Sequence, residues 1–306
     1  VELSNRTNMK ALYTTLLAIA LTGNLTTAQP DQNINITSLA WSPDGKQLIF
    51  SAIAVKPDWS DFNPANWRIF LYDMKNGDLK KVAAGANNGA ISPDGCRVAY
   101  QQTENGNQDI FLENLCTGQR KRLTDDPARE SVPTFSPDGK QLAFCSDRNG
   151  GLEVFTLDLE HPDIPPVQVT HGAPHRSYNP EWSPDGARLV YYLEKGDGRD
   201  QIWVTDLAGK SPRNITSDTL HSYYPSWTPA GNLLFTSTDE HIFTMKPDRT
   251  GRKPTGIKSF FARVSPQKKR IAYIRREDRS IVIARFPGLK PVRRIRPEDL
   301  NGKGFW

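Results

Sequence analysis

Short runs in which apolar and polar positions alternate recur along most of this chain. Leu48-Ile49-Phe50, Val98-Ala99-Tyr100, Leu142-Ala143-Phe144 and Leu189-Val190-Tyr191 each follow a copy of the tetrapeptide Ser-Pro-Asp-Gly. A large or β-branched apolar residue stands just before each tetrapeptide and its two decayed equivalents: Trp41, Ile91, Phe135, Trp182, Trp227 and Val264. A third run follows in each unit, as in Ile69-Phe70-Leu71-Tyr72, Ile202-Trp203-Val204 and Ile281-Val282-Ile283. A short fourth run closes each unit, as at residues 213–216 and Pro291–Ile295. Period-two character of this length predicts strands, and no stretch after residue 28 has helical periodicity.

The complete tetrapeptides lie at residues 42–45, 92–95, 136–139 and 183–186, with decayed copies at residues 228–231 and 265–268. Proline presets φ for a type I turn, Asp suits the next position, and Gly takes the left-handed position that closes a hairpin. The prolines at 43, 93, 137, 184, 229 and 266 are 50, 44, 47, 45 and 37 residues apart. One four-stranded sheet cannot cover both its faces, so six such units predict a closed ring. The predicted fold is all-β: a six-bladed β-propeller with four antiparallel strands per blade, over residues 37–296. The blades fall near residues 37–82, 88–124, 131–170, 178–216, 223–258 and 260–296, with a tail at 297–306. Residues 33–37 (NINIT), which overlap the end of an N-terminal segment at 29–36, resemble the fourth strand at 213–216 and compete with Pro291–Ile295 to close blade six.

These residues carry a resemblance. The motif Trp/Phe-Ser-Pro-Asp-Gly-Lys-x-Leu-x-Phe stands at residues 41–50 and 135–144. Ser146-Asp147-Arg148-Asn149-Gly150 and Val154-Phe155-Thr156-Leu157-Asp158 follow the second copy. In this the chain resembles the TolB-like propeller repeat family over about residues 37–296. The resemblance implies a six-bladed propeller and a periplasmic scaffold between envelope proteins. A counterpart of the α/β domain that precedes the propeller in TolB is not expected here. Copies five and six have lost the Asp, and copy six also the Gly.

Residues 1–28 read as upstream residues followed by a cleavable secretory signal. Met9 is the expected start, Lys10 the positive residue, residues 11–21 an apolar core too short to cross a bilayer, and Thr26-Thr27-Ala28 the cleavage site. This predicts a periplasmic or secreted protein. Three cysteines in that setting suggest one disulfide. A register pairing Val98 with Asn114 and Tyr100 with Leu112 sets Cys96 opposite Cys116, the predicted bridge; two separate thiols are the alternative. Cys145 reads as a small core residue.

The net charge of +5 is unevenly spread. Residues 252–303 hold sixteen Lys/Arg against four acids, an excess of twelve, which leaves the remaining chain a deficit of seven. A basic sixth blade suits an anionic partner. Nucleic acid is not expected, because Arg275-Arg276 and Arg293-Arg294 are not interleaved with stacking aromatics.

In a four-stranded blade the first and third turns share one end, and the remaining loops share the other. The Ser-Pro-Asp-Gly end is short and repetitive, whereas the loop end varies and is predicted to bind. Its candidates are Trp59, Phe62 and Trp67 in and after an insertion at residues 52–66, then Asp126, Arg129, Asp147 and Arg148. His171, His175, Arg176, Tyr178, His221 and Tyr223 complete the set. Aromatic rings beside Arg, Asp and His suit a peptide or a sugar. Tyr178 and Tyr224 match in register and also read as caps on the blade core. His171, His175 and His221 are weak metal candidates on consecutive inter-blade loops. No nucleophile elbow, zinc-protease helix motif or phosphate loop is present. The expected protein is a non-catalytic monomer without cofactor that binds a protein or glycan ligand of the cell envelope. A metal-dependent propeller lyase or hydrolase acting on acidic sugars is one alternative. A free-standing relative of the propellers of prolyl-oligopeptidase-type proteases is the other.

Overall fold

The computed structural model describes residues 33–196, 199–217, 220–303 and 305, so the signal reading of residues 1–28 lies outside the described residues. Six four-stranded antiparallel sheets, each built from consecutive strands, occupy residues 33–84, 86–122, 130–168, 176–214, 222–258 and 262–295. The first strands of neighbouring blades approach one another at five of the six joins, the first strand of blade six meets the second strand of blade five, and the fourth strand of each blade is its outer edge. This is the six-bladed propeller the repeat demanded. The insertion adds only one 3-10 turn, Pro64–Asn66, to the strands of blade one.

The tetrapeptide turns are held as their chemistry requires. Ser136 Oγ donates to Asp138 Oδ1 at 2.6 Å, the same oxygen accepts from Lys140 N at 3.1 Å, and Gly139 closes the turn at φ 72°. Gly45 is needed for its φ of 63°, and the movable end of the Gln267 side chain of blade six lies where a Cβ would project.

Tryptophans tie blade to blade. Trp182 Nε1 donates to Thr134 O at 3.2 Å and Trp227 Nε1 to Glu181 O at 3.2 Å, each reaching back one blade. Trp41 Nε1 donates in the same way to Arg263 O at 3.0 Å, which carries the bond across the join between blade six and blade one.

Residues 33–37 do not clasp blade six. They begin the inner strand of blade one, Asn33–Trp41, which pairs with Gln47–Val55 through a bulge between Ile36 and Ser38. That bulge keeps Ile36, Leu39 and Trp41 in the core on both sides of the shift. Pro291–Ile295 is the outer strand of blade six, so the ring closes by packing. The tail adds a latch at this join. The 3-10 turn Pro297–Leu300 delivers Leu300, which is 0 % exposed, and Phe305, which is 2 % exposed. Both enter one cluster with Ile274, Ile283 and Ile295 of blade six and Leu39 and Phe70 of blade one. The Phe305 ring stacks on Phe70 with centroids 5.9 Å apart and planes 8° from parallel.

The register in blade two also differs from expectation by one residue. Val98 faces Glu113, and Tyr100 faces Phe111. The cause is the two-residue loop Asn105-Gly106, with φ of 51° and 83°, which pairs Glu104 with Asn107 and sets everything downstream. Cys96 therefore lies opposite Leu115, whose N–H donates to the Cys96 carbonyl at 2.7 Å. The Cys96 and Cys116 sulfurs still approach to 3.0 Å as free thiols.

Candidate functional site

Inner strands run from the loop end to the turn end of the ring, so their first residues surround the loop mouth of the central channel. Four of them are kinked there by a left-handed residue: Asn88 (φ 52°), Val132 (φ 52°), Asn179 (φ 49°) and Tyr224 (φ 50°). Such φ values cost a non-glycine residue energy, and hydrogen bonds across the blades offset it. Asn88 N donates to Ser51 Oγ at 3.0 Å, and Val132 N donates to Gln101 Oε1 at 3.0 Å. The Asn179 backbone bonds the Cys145 thiol in the equivalent place. Burial pushes that thiol up to about 12, so Cys145 is a buried structural group.

The mouth is lopsided. On blades one and two it is polar, with Asn88 Nδ2 bonded to Gln101 Oε1 at 2.9 Å. On blades four to six it is an aromatic arc. Tyr178 stacks on Tyr192 at 5.3 Å, Tyr192 meets Tyr224 edge-on at 6.0 Å, and Tyr224 touches Tyr223 at 5.2 Å and Phe261 at 5.7 Å. Arg176 lies over Tyr178 at 5.0 Å and Arg263 over Phe261 at 4.1 Å. Burial, then the Glu240 carboxylate, pushes the Tyr223 phenol up to about 12. Tyr178 is 8 % exposed, so it is a core cap as well as part of the arc. Toward the turn end Glu181 spans from blade four to Arg263 of blade six at 3.2 Å and accepts from Trp227 N at 3.0 Å. Burial raises the Glu181 carboxyl, with Arg263 opposing that shift.

The other candidates separate into groups. Trp59 and Phe62 stack at 6.4 Å in the insertion, a loop that Asp61 folds by accepting from Lys56 N at 2.6 Å. Trp67 is half-buried at the start of the next strand. Asp126 Oδ1 accepts from Ala128 N at 2.9 Å within its own turn. Arg129 is tied to Asp147 at 2.7 and 2.9 Å. Arg148 is bound to the buried Glu130 and lies 5.0 Å over Phe155, which makes it a core brace. His171 is exposed, His175 is half-buried, and His221 Nδ1 lies 3.3 Å from Asp200. The three histidines are not brought together: no group of three or more His, Cys, Asp or Glu among the described residues is arranged to hold a metal ion.

Sequence reasoning overlooked the carboxylates beneath these loops. Glu153, 2 % exposed, accepts from Thr170 Oγ1 (2.5 Å), Ser177 Oγ (3.0 Å), Gly172 N (2.6 Å) and Ala173 N (2.9 Å), fixing the loop that carries His171 and His175. Asp109, 0 % exposed, pairs with Arg122 at 2.6 Å. The available signal was the polar residue before each third apolar run: Arg68, Asp109, Glu153, Gln201, His241 and Ser280.

The TolB beta propeller domain family matches residues 31–177. Among curated proteins the chain is 28 % identical over 214 residues to the uncharacterized protein Atu1656 of Agrobacterium fabrum, covering 66 % of each. It is 25 % identical over 205 residues to the Tol-Pal system protein TolB of Francisella tularensis, covering 65 % of this chain and 44 % of that one. The chain thus spans from under half to about two thirds of these relatives' lengths. Among solved structures, TolB from Acinetobacter baumannii superposes with a TM-score of 0.59 at 23 % identity, covering 71 % of this chain and 53 % of that one, a likeness of fold.

Proposed function

We propose that this chain, whose residues 31–177 match the TolB beta propeller domain, is an exported, non-catalytic scaffold of the cell envelope. It binds a segment of another envelope protein at the loop mouth of its channel. One observation carries this reading: the aromatic arc from Tyr178 to Phe261 at the loop mouth, flanked by Arg176 and Arg263. Rigid aromatic rings beside cations supply large contact area at low entropic cost and select acidic or polar peptide segments. The Tol-Pal role of the Francisella relative supports an envelope setting, and no helix among the described residues is long and apolar enough to cross a membrane.

The test is a peptide array of envelope-protein segments, read with and without divalent metal. Binding should weaken about tenfold or more in Tyr223→Ala, as for a central aromatic anchor. It should be unchanged in Lys140→Ala at the exposed turn end. Metal-dependent turnover of an acidic glycan, or binding indifferent to the arc, would overturn the reading.

A further inference from the structure

A second surface lies on the outer flank of the ring. The outer strands of blades five and six, Lys253–Lys258 and Pro291–Ile295, border a groove of about 730 Å³. It runs from Leu289 near the turn end to Arg275 near the loop end. Its floor is apolar, with Ile257 buried, Leu289 half-buried and Val292 42 % exposed. Lys258, Arg275, Arg293 and Arg294 stand along it against one lining carboxylate, Glu277.

These cations are not equivalent. Arg294 is bound by Asp278 and donates to Ser280 Oγ at 2.9 Å, and Arg275 donates to Glu277 at 3.1 Å, so both guanidiniums are held in place. Lys258 is exposed and forms no ion pair among the described residues. Each bordering strand is the last in its sheet, so its outward backbone groups face no further strand.

We propose that this groove takes an extended acidic segment of a partner protein, lying along the outer strand of blade six. Its carboxylates would meet Lys258 and the fixed guanidiniums, and its alternate apolar side chains would rest on Val292 and Leu289. Strand addition to an open edge supplies main-chain hydrogen bonds, while the pockets beneath select side chains of period two. Charge-assisted bonds from fixed guanidiniums need little further ordering. The concave apolar floor favours such a segment over a lipid surface, which needs only an outward-facing basic patch. The groove shares no residue with the aromatic arc, so substitutions in one leave the other intact.

Fluorescence anisotropy with the full chain tests it. The probes are a labelled peptide of alternating Glu and Val and its Lys–Val counterpart. Vesicles of phosphatidylcholine with phosphatidylglycerol are assayed beside them. The Glu–Val peptide should bind and weaken as salt rises from about 0.05 to 0.3 M. Lys258→Glu and Val292→Asp, both at exposed positions, should each weaken it about tenfold. Lys268→Glu makes the same charge change on an exposed turn outside the groove and should stay within about twofold. Equal loss in Lys258→Glu and Lys268→Glu would reduce the effect to bulk charge and overturn the proposal. So would equal binding of the Lys–Val peptide, failure of the Glu–Val peptide to bind, or capture of vesicles in its place.

Discussion

Removing the Phe305 ring should unlatch the propeller. Phe305 is 2 % exposed and is held between the sheets of blades six and one, stacked on Phe70 at 5.9 Å. Truncating a buried Phe to Ala ordinarily costs about 3–5 kcal/mol, the transfer of the ring plus the cavity left behind. Phe305 lies in the tail, so the chain beyond Leu300 can detach without unfolding a blade, and the loss is capped by the docking energy of that segment. The expected value is therefore near the low end, about 3 kcal/mol. For a folded chain of this size that lowers the melting temperature by about 5 °C. Denaturant and thermal unfolding followed by tryptophan fluorescence read it directly, because Trp41 sits in the same cluster. Lys303→Ala, on an exposed position of the same tail, should change stability by less than about 0.5 kcal/mol. A Phe305→Ala protein that melts within a degree or so of the parent would refute the latch and leave closure to the inner strands alone.

Two further outcomes follow from the turns and the thiols. The Ser136 hydroxyl, followed by the Lys140 backbone N–H, holds the Asp138 carboxyl below its ordinary value of 3.8. A depressed folded pKa means its stabilisation is fully present above 3.8 and is lost as pH falls through the lower folded value. Carboxyl NMR titration of Ser136→Ala should therefore move Asp138 upward, and an unchanged midpoint would refute the hydroxyl's role. Cys96 and Cys116, with sulfurs 3.0 Å apart, should join when a low-molecular-weight disulfide accepts their two electrons and two protons. Thiol titration of the folded protein should then fall from two reactive groups to none, with the buried Cys145 reacting only on unfolding. Non-reducing peptide maps with both thiols free after that treatment would count against it.

The blades were legible because each complete tetrapeptide turn dictates a hairpin and each apolar run alternates, two local signals that agree four times over and extend through two decayed copies. What escaped was information held between units. The one-residue register error in blade two came from passing over Asn105-Gly106, whose positive φ values set the pairing from the far end of the hairpin. Of the two segments competing to close blade six, residues 33–37 lost out because NINIT resembles an outer strand in composition, while its pairing is decided by Gln47–Val55 beside it. At the site, the inter-blade loops were found, yet their histidines do not meet. Loop composition carries no distance, and the pair Arg129–Asp147 satisfies itself within blade three. Tyr192, on a strand, and Phe261, just before one, were missed because nothing local distinguishes a residue at the channel mouth from one that faces the next sheet.

The departures from the repeat gather in one half of the ring, and this bears on what the ring is for. Blades one to four keep the Asp and Gly of the turn, whose hydrogen bonds serve the fold alone. Blade six has exchanged them for Gln267 and Lys268, and Gln267 now lies on Gly45 across the join. The same half carries most of the aromatic arc, the groove beside Lys258 and the latch of Leu300 and Phe305. A closed ring has six equivalent interfaces to satisfy, and here the sixth is held by an indole bond from Trp41 and the packed tail. With closure carried by those groups, the mouth and outer flank of blades five and six need not repeat the others. Their side chains are then available to meet a partner, so the bulk of any binding loss should map to blades four to six.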